Sequence, residues 1–279
     1  MKKSWLLNTV MLVLVVALAW LAYLKPRSDG LTSYPLSNLK ADQVRHIRLE
    51  RGSSPTVTVE KQDDLWLITA PFSAHADPFQ MERLLAIVAA RATQRYAGTD
   101  LARFELDRPQ ARLAIDGQLF DFGAISTVTR EQYVATEGMV YAINPRYGSA
   151  VAASAEELIR RQLFAANEAP VRFEFKDFSV IQRDGKWTLT PPAPDLSQDD
   201  FNRWVDEWRQ ATALRAERHA DKIPIGDIKV EFRDGRKLAL GILQRESELV
   251  ISRPDENVRY YVPSQTARRL LAPPGPRNQ

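Results

Sequence analysis

The 279-residue chain contains no cysteine, only three histidines and only 12 glycines. The missing thiols exclude a disulfide framework, a cysteine-ligated zinc or iron–sulfur site and a thiol nucleophile. His46, His75 and His219 show no H-x-x-x-H spacing, and the nearest approach to a ligand pair is His75 with Asp77. The bland reading of that pair is a loop histidine beside a helix N-cap. With so little glycine there is no G-x-G-x-x-G or G-x-x-x-x-G-K-[ST] phosphate loop, and neither a G-x-S-x-G elbow nor an S-x-x-K/K-T-G set occurs. These absences lead to no catalytic, cofactor-binding or metal residues, to no bound cofactor, and to a protein that is not an enzyme.

Charge is balanced, with 38 Lys and Arg against 35 Asp and Glu. Four of the basic residues fall in residues 1–27, which have no acidic ones, so the remainder carries a net charge of −1. Such a surface is no polyanion binder, and nucleic acid is excluded as a partner. Trp5 to Leu24 is free of charge, flanked by Lys2-Lys3 and by Lys25-Pro26-Arg27. Twenty helical residues span about 30 Å, the depth of a bilayer core, and Trp5, Trp20 and Tyr23 sit where interfacial aromatics belong. Residues 1–27 are therefore expected to be a transmembrane anchor. The competing reading is a signal peptide cleaved near Ala17-Leu18-Ala19. The anchor implies a single-pass protein of the bacterial inner membrane, with its C-terminal domain in the periplasm.

Beyond the anchor, the sequence answers itself. Trp66, Thr69 and Pro71 recur as Trp187, Thr190 and Pro192 at an offset of 121. Met81, Leu84, Leu85 and Val88 recur as Phe201, Trp204, Val205 and Trp208 at 120. Asp116-Gly117 and Gly123 recur as Asp234-Gly235 and Gly241 at 118, and Tyr141-Ala142-Ile143 as Tyr260-Tyr261-Val262. Each copy reads as an alternating strand, a hairpin ending in the Trp strand, a helix capped by Asp77 or Ser197, a Asp-Gly hairpin and two further strands. A closing helix is expected at Ala152–Phe164 and at Ser264–Leu271.

The expected class is α+β: a transmembrane helix followed by two tandem repeats, each an antiparallel sheet of hairpins packed against a helix. The expected divisions are anchor 1–27, stalk 28–43, first repeat 44–164, second repeat 165–272 and a disordered Pro-rich tail 273–279. The paired carboxylates Asp63-Asp64, Glu156-Glu157 and Asp199-Asp200 read as turn or helix-start residues. Trp187, Trp204 and Trp208 read as core, although an exposed cluster of this kind would stack on sugars or anchor a partner.

The W-x-(L/I)-T-x-P strand, the capped helix, the Asp-Gly hairpin, the Tyr-bearing strands and the run Leu158-Ile159-Arg160-Arg161-Gln162-Leu163-Phe164 together resemble a bacterial family known only as domain of unknown function 4340. The resemblance covers roughly residues 40–270. It implies a membrane-anchored envelope protein, associated with ABC-type transport systems of the gliding-motility kind, and it carries over no active-site residue. The expected function is a non-enzymatic, single-pass envelope protein whose duplicated domain contacts other inner-membrane proteins, accessory to such a transporter. A cell-wall glycan- or lipid-binding module is the alternative, and a hydrolase without a motif is the third reading.

Overall fold

The structure is a computed structural model describing residues 33–219 and 222–276, with residues 11, 15, 16 and 20. The expected anchor over Trp5–Leu24 lies, but for those last four residues, outside the described residues. Among the described residues no helix is long and apolar enough to cross a membrane. The expected α+β class is corrected as well, because the chain is mostly antiparallel β-sheet.

The elements run β1 (Tyr34–Pro35), β2 (His46–Arg51), β3 (Val57–Gln62), β4 (Leu65–Ala70), β5 (Ala74–His75), α1 (Pro78–Leu85), β6 (Arg91–Ala92), β7 (Gln94–Ala97), β8 (Ala111–Ile115), β9 (Gln118–Ile125), β10 (Gln132–Thr136), β11 (Met139–Ile143) and α2 (Arg146–Ser149). They continue with β12 (Pro170–Glu174), β13 (Ser179–Arg183), β14 (Lys186–Thr190), α3 (Gln198–Arg209), β15 (Arg215–Arg218), β16 (Gly226–Phe232), β17 (Lys237–Gln244), β18 (Glu248–Arg253), β19 (Val258–Pro263) and α4 (Ser264–Leu271). One sheet has the order β5-β4-β3-β2-β8-β9-β10-β11-β7 and the other β14-β13-β12-β16-β17-β18-β19-β15. Apart from β5, the two orders are the same. A third, two-stranded sheet joins β1 to β6.

Local chemistry explains the correspondence and its lapses. Asp116-Gly117 and Asp184-Gly185 take positive φ at both residues, as a two-residue hairpin turn of type I′ requires. Gly123 and Gly241 sit where neighbouring atoms crowd the sheet. A Cβ on the first would strike the Phe104 carbonyl, and on the second Ser252 Oγ and Pro224. Thr58 pairs with Ala70 but Val59 with Ile68, so Thr69 is an extra, bulged residue in β4. In the other sheet, Ser179–Thr190 and Val180–Leu189 pair without interruption. Ala70 therefore matches Thr190, and the bulge is where the offset changes from 121 to 120. The expected match of Thr69 with Thr190 is one residue out.

Helices α1 and α3 start as their sequences require. Asp77 accepts from the Phe79 and Gln80 N–H groups, and Ser197 forms a capping box with Asp200. Met81, Leu84, Leu85 and Val88 are buried in one copy and Phe201, Trp204, Val205 and Trp208 in the other, on one continuous core. The closing helix expected at Ala152–Phe164 does not form. Only Ala155–Leu158 makes a 3-10 turn, after which Ile159 bridges to Ala76 and Gln162 to Thr212. Its apolar residues have helical spacing, but the backbone is taken up by cross-chain pairing. Residues 33–43, within the segment expected as a stalk, are tied to the first unit by the β1–β6 pairing and the buried Leu36.

The outer edges differ in a way that tests the packing. In the first sheet β5 covers β4. The second sheet has no such strand; instead the Gln198 amide accepts from Trp187 N–H at 2.8 Å and donates to Trp187 C=O at 2.9 Å. Gln198→Ala should destabilise the protein by about 1–3 kcal/mol, two part-buried hydrogen bonds, read from urea unfolding.

Candidate functional site

Each sheet is entered by a leucine whose backbone is bonded on both sides. Leu36 N–H donates to Ala90 C=O at 3.2 Å, and Leu163 N–H to Ala211 C=O at 3.1 Å. The carbonyls are met by side chains from the far hairpins: Gln118 Nε2 donates to Leu36 C=O at 3.0 Å, and Arg253 Nη1 to Leu163 C=O at 2.7 Å. Thr136 and Arg253 occupy matching positions, each closing the strand two residues beyond the partner of Tyr141 or Tyr260. In the first copy the Gln118 amide continues neutrally to Ser37 and Thr136. In the second, the same place is filled with charge.

Arg253 is only 1% exposed. Its guanidinium grips Glu168 bidentately at 2.9 and 3.0 Å, reaches Asp255 at 2.6 Å and lies 3.2 Å from Glu256 Oε1. That same Oε1 lies 2.8 Å from Arg160 Nη2, and Glu256 Oε2 accepts from the Tyr260 hydroxyl at 2.8 Å. His75 Nδ1 lies 3.1 Å from Oε1. His75 belongs to β5, and Arg160 follows the Ile159–Ala76 bridge, its N–H donating to His75 C=O at 2.9 Å. Arg253, Glu256 and Tyr260 belong to the β18–β19 hairpin. The cluster is therefore a clasp between the two sheets.

Burial opposes ionisation of Glu256, but His75, Arg253 and Arg160 outweigh it and hold its pKa at about 2. Glu168 is likewise buried, yet Arg253 and the Ala165 N–H bring its pKa below the usual carboxylate range. Arg253 is stabilised in its charged form by Glu168, Asp255 and Glu256 despite desolvation, and burial together with Glu256 pushes the Tyr260 hydroxyl upward. A carboxylate with a pKa near 2 is a weak base at neutral pH, and these groups hold their charges rather than pass protons. Their chemistry is fixation.

Of the residues weighed in the sequence for chemistry, His75 alone joins the clasp, together with Arg160 and Tyr260 from the repeat and family motifs. Asp77 is an N-cap and faces away from the role of ligand, while its neighbour His75 joins the clasp. Asp63 and Asp64 form the β3–β4 turn at positive φ, Glu156 and Glu157 lie in the 3-10 turn, and Asp199 and Asp200 open α3. Among the described residues no group of three His, Asp or Glu could hold a metal. Trp187, Trp204 and Trp208 are all buried, so none offers a face to a sugar. Arg253, Glu256 and Glu168 carry no spacing motif that could have pointed to them.

The copies also differ on the sheet face away from the main core. Tyr96, Phe104 and Tyr133 form an apolar cluster in the first, with Phe104 and Tyr133 ring centres 4.8 Å apart. Glu217 stands opposite Arg259 as Tyr96 stands opposite Val140. There, Arg259 pairs with Glu217 at 2.7 Å, the Tyr261 hydroxyl donates to Glu217 at 3.0 Å and Arg215 lies 3.6 Å over the Tyr261 ring.

A family model described as "Domain of unknown function (DUF4340)" matches residues 66–218. No curated protein and no solved structure matches the chain.

Glu256→Gln keeps the shape of the clasp but leaves the buried Arg160 without its carboxylate, while Arg253 keeps Glu168 and Asp255. It should cost about 3–5 kcal/mol in urea unfolding at pH 7. In the wild type the folded pKa of about 2 lies below the ordinary value of 4.5. The stability due to Glu256 is thus whole above pH 4.5 and drains as pH falls toward 2, by about 3 kcal/mol. The Gln variant should lose correspondingly less stability across that window.

Proposed function

With the match spanning more than half of the chain, the protein belongs to the DUF4340 family, and from that premise we propose that it is a non-enzymatic interaction protein of the bacterial cell envelope, accessory to an ABC-type transport system. The observation that carries this reading is the clasp. Ionisable groups from both halves, the half-buried His75 and buried Arg160 on one side and the buried Arg253, Glu256 and Tyr260 on the other, fix one module against the other. Such an arrangement supports presentation of two surfaces in a constant relation. The sheet face away from the main core has diverged, closed in the first copy by a small buried cluster of Phe104, Leu106 and Val140 and charged in the second, while the strand order is shared. Divergence over a common framework favours separate roles for the two units.

The buried tryptophans weigh against the glycan- or lipid-binding alternative, which requires aromatic faces lining an open groove. Purification of the tagged full-length chain in mild detergent after brief crosslinking should recover the permease and ATPase subunits of one transport system in independent preparations. Recovery of no transport subunit in any of them would overturn the reading.

A further inference from the structure

Helix α3, helix α4 and the chain's own segment Ala272–Pro276, which lies against α3, together line a groove. The segment joins Ala272, the cap of α4, to the Pro-rich stretch from Pro273 that the sequence marks as a disordered tail, and it is held at two points. Trp204 Nε1–H donates to Ala272 C=O at 2.8 Å, and Arg203 Nη2 donates to Gly275 C=O at 3.2 Å. Pro274, between them, is buried. Ala272 has φ −81° and ψ 147°, the values of a polyproline II helix.

The chemistry of the two sides is matched. Proline has no N–H, so a proline-rich segment offers carbonyl acceptors and few donors. Trp204 and Arg203 offer donors only. A polyproline II helix repeats every three residues, which places carbonyls at i and i+3, here Ala272 and Gly275, on one side. Asp200 pairs with Arg203 and is itself fixed by the α3 capping box, so the guanidinium is set in place before any segment arrives. At the position of Trp204 the first copy has Leu84, which lacks a donor, so the feature belongs to the second copy alone.

We propose that the α3 face carrying Trp204 and Arg203 is a recognition site for proline-rich extended segments, and that the tail covers it in cis as a strap which a partner's proline-rich segment exchanges with. The proposal names a partner class and rests on the interaction reading for its biological use. Its test reads that face directly, so the transport pull-down and this experiment can fail separately.

The experiment follows the Trp204 indole 15N–1H resonance, assigned by its loss in Trp204→Phe, in the full chain and in a chain ending at Leu271. Ending the chain at Leu271 should shift the resonance. A synthetic peptide of the sequence Leu271–Gln279 should return it saturably, while a peptide with its three prolines replaced by alanine should not. The full chain should bind the wild-type peptide at least about tenfold more weakly, because a tethered tail competes at high effective concentration. In the shortened chain, Trp204→Phe should weaken peptide binding about fivefold, the size of one lost hydrogen bond. Should the shortened chain fail to fold, a full-length Pro273→Ala/Pro274→Ala variant replaces it, with the same restoration by wild-type peptide expected. Absence of peptide binding in the folded variant, or equal binding of the alanine peptide, overturns the proposal.

Discussion

The arrangement of the molecule depends on one carboxylate that cannot leave its charge behind. Glu256 is out of water, and burial alone would drive it to the neutral form. It remains ionised because Arg253, on its own hairpin, and Arg160, from the other copy, both reach it. Arg160, whose carboxylate partner it is, would be a buried charge left unpaired without it. Two sheets that could each close a core thus have a fixed partner, and the specificity of their mutual placement comes from electrostatics laid over an apolar junction. The hydrophobic contact supplies adhesion without direction, whereas the ion cluster has geometry.

Much of the framework was readable in the residues. Asp-Gly turns, N-caps at Asp77 and Ser197, and the buried stripes of α1 and α3 are governed by interactions a few residues apart, so sequence spacing reports them directly. The segment 152–164 was misread because its helical periodicity was real but its backbone partners, Ala76 and Thr212, lie far away in the chain. The β content followed suit: lead-in strands and edge strands of two to four residues leave almost no periodic trace. The clasp was invisible for a related reason. Arg160, Glu168, Arg253 and Glu256 are ordinary surface residue types, and their burial is set by how two remote hairpins meet.

The comparison of the copies shows what duplication preserves. Register, turn chemistry and the crowded glycines Gly123 and Gly241 persist, since each is needed to close a sheet. The polar lock on the entering leucine also persists in role while its chemistry changes from the amide of Gln118 to the guanidinium of Arg253. A neutral lock serves its own module. A charged one has valence to spare, and Glu256 uses it to engage the neighbour.

The clasp is also one-directional. Its socket, His75 on β5 with Arg160, comes from the leading unit, and the second sheet has no strand matching β5, only Gln198 over the edge of β14. Its plug, the four-residue bend carrying Glu256, comes from the trailing unit, where the leading one makes a tight Glu137-Gly138 turn. Head-to-tail joints of this type propagate into filaments or solenoids when every unit carries both halves. Here neither unit does, so the series terminates at two by construction, and a third copy appended to this chain would find nothing to grip.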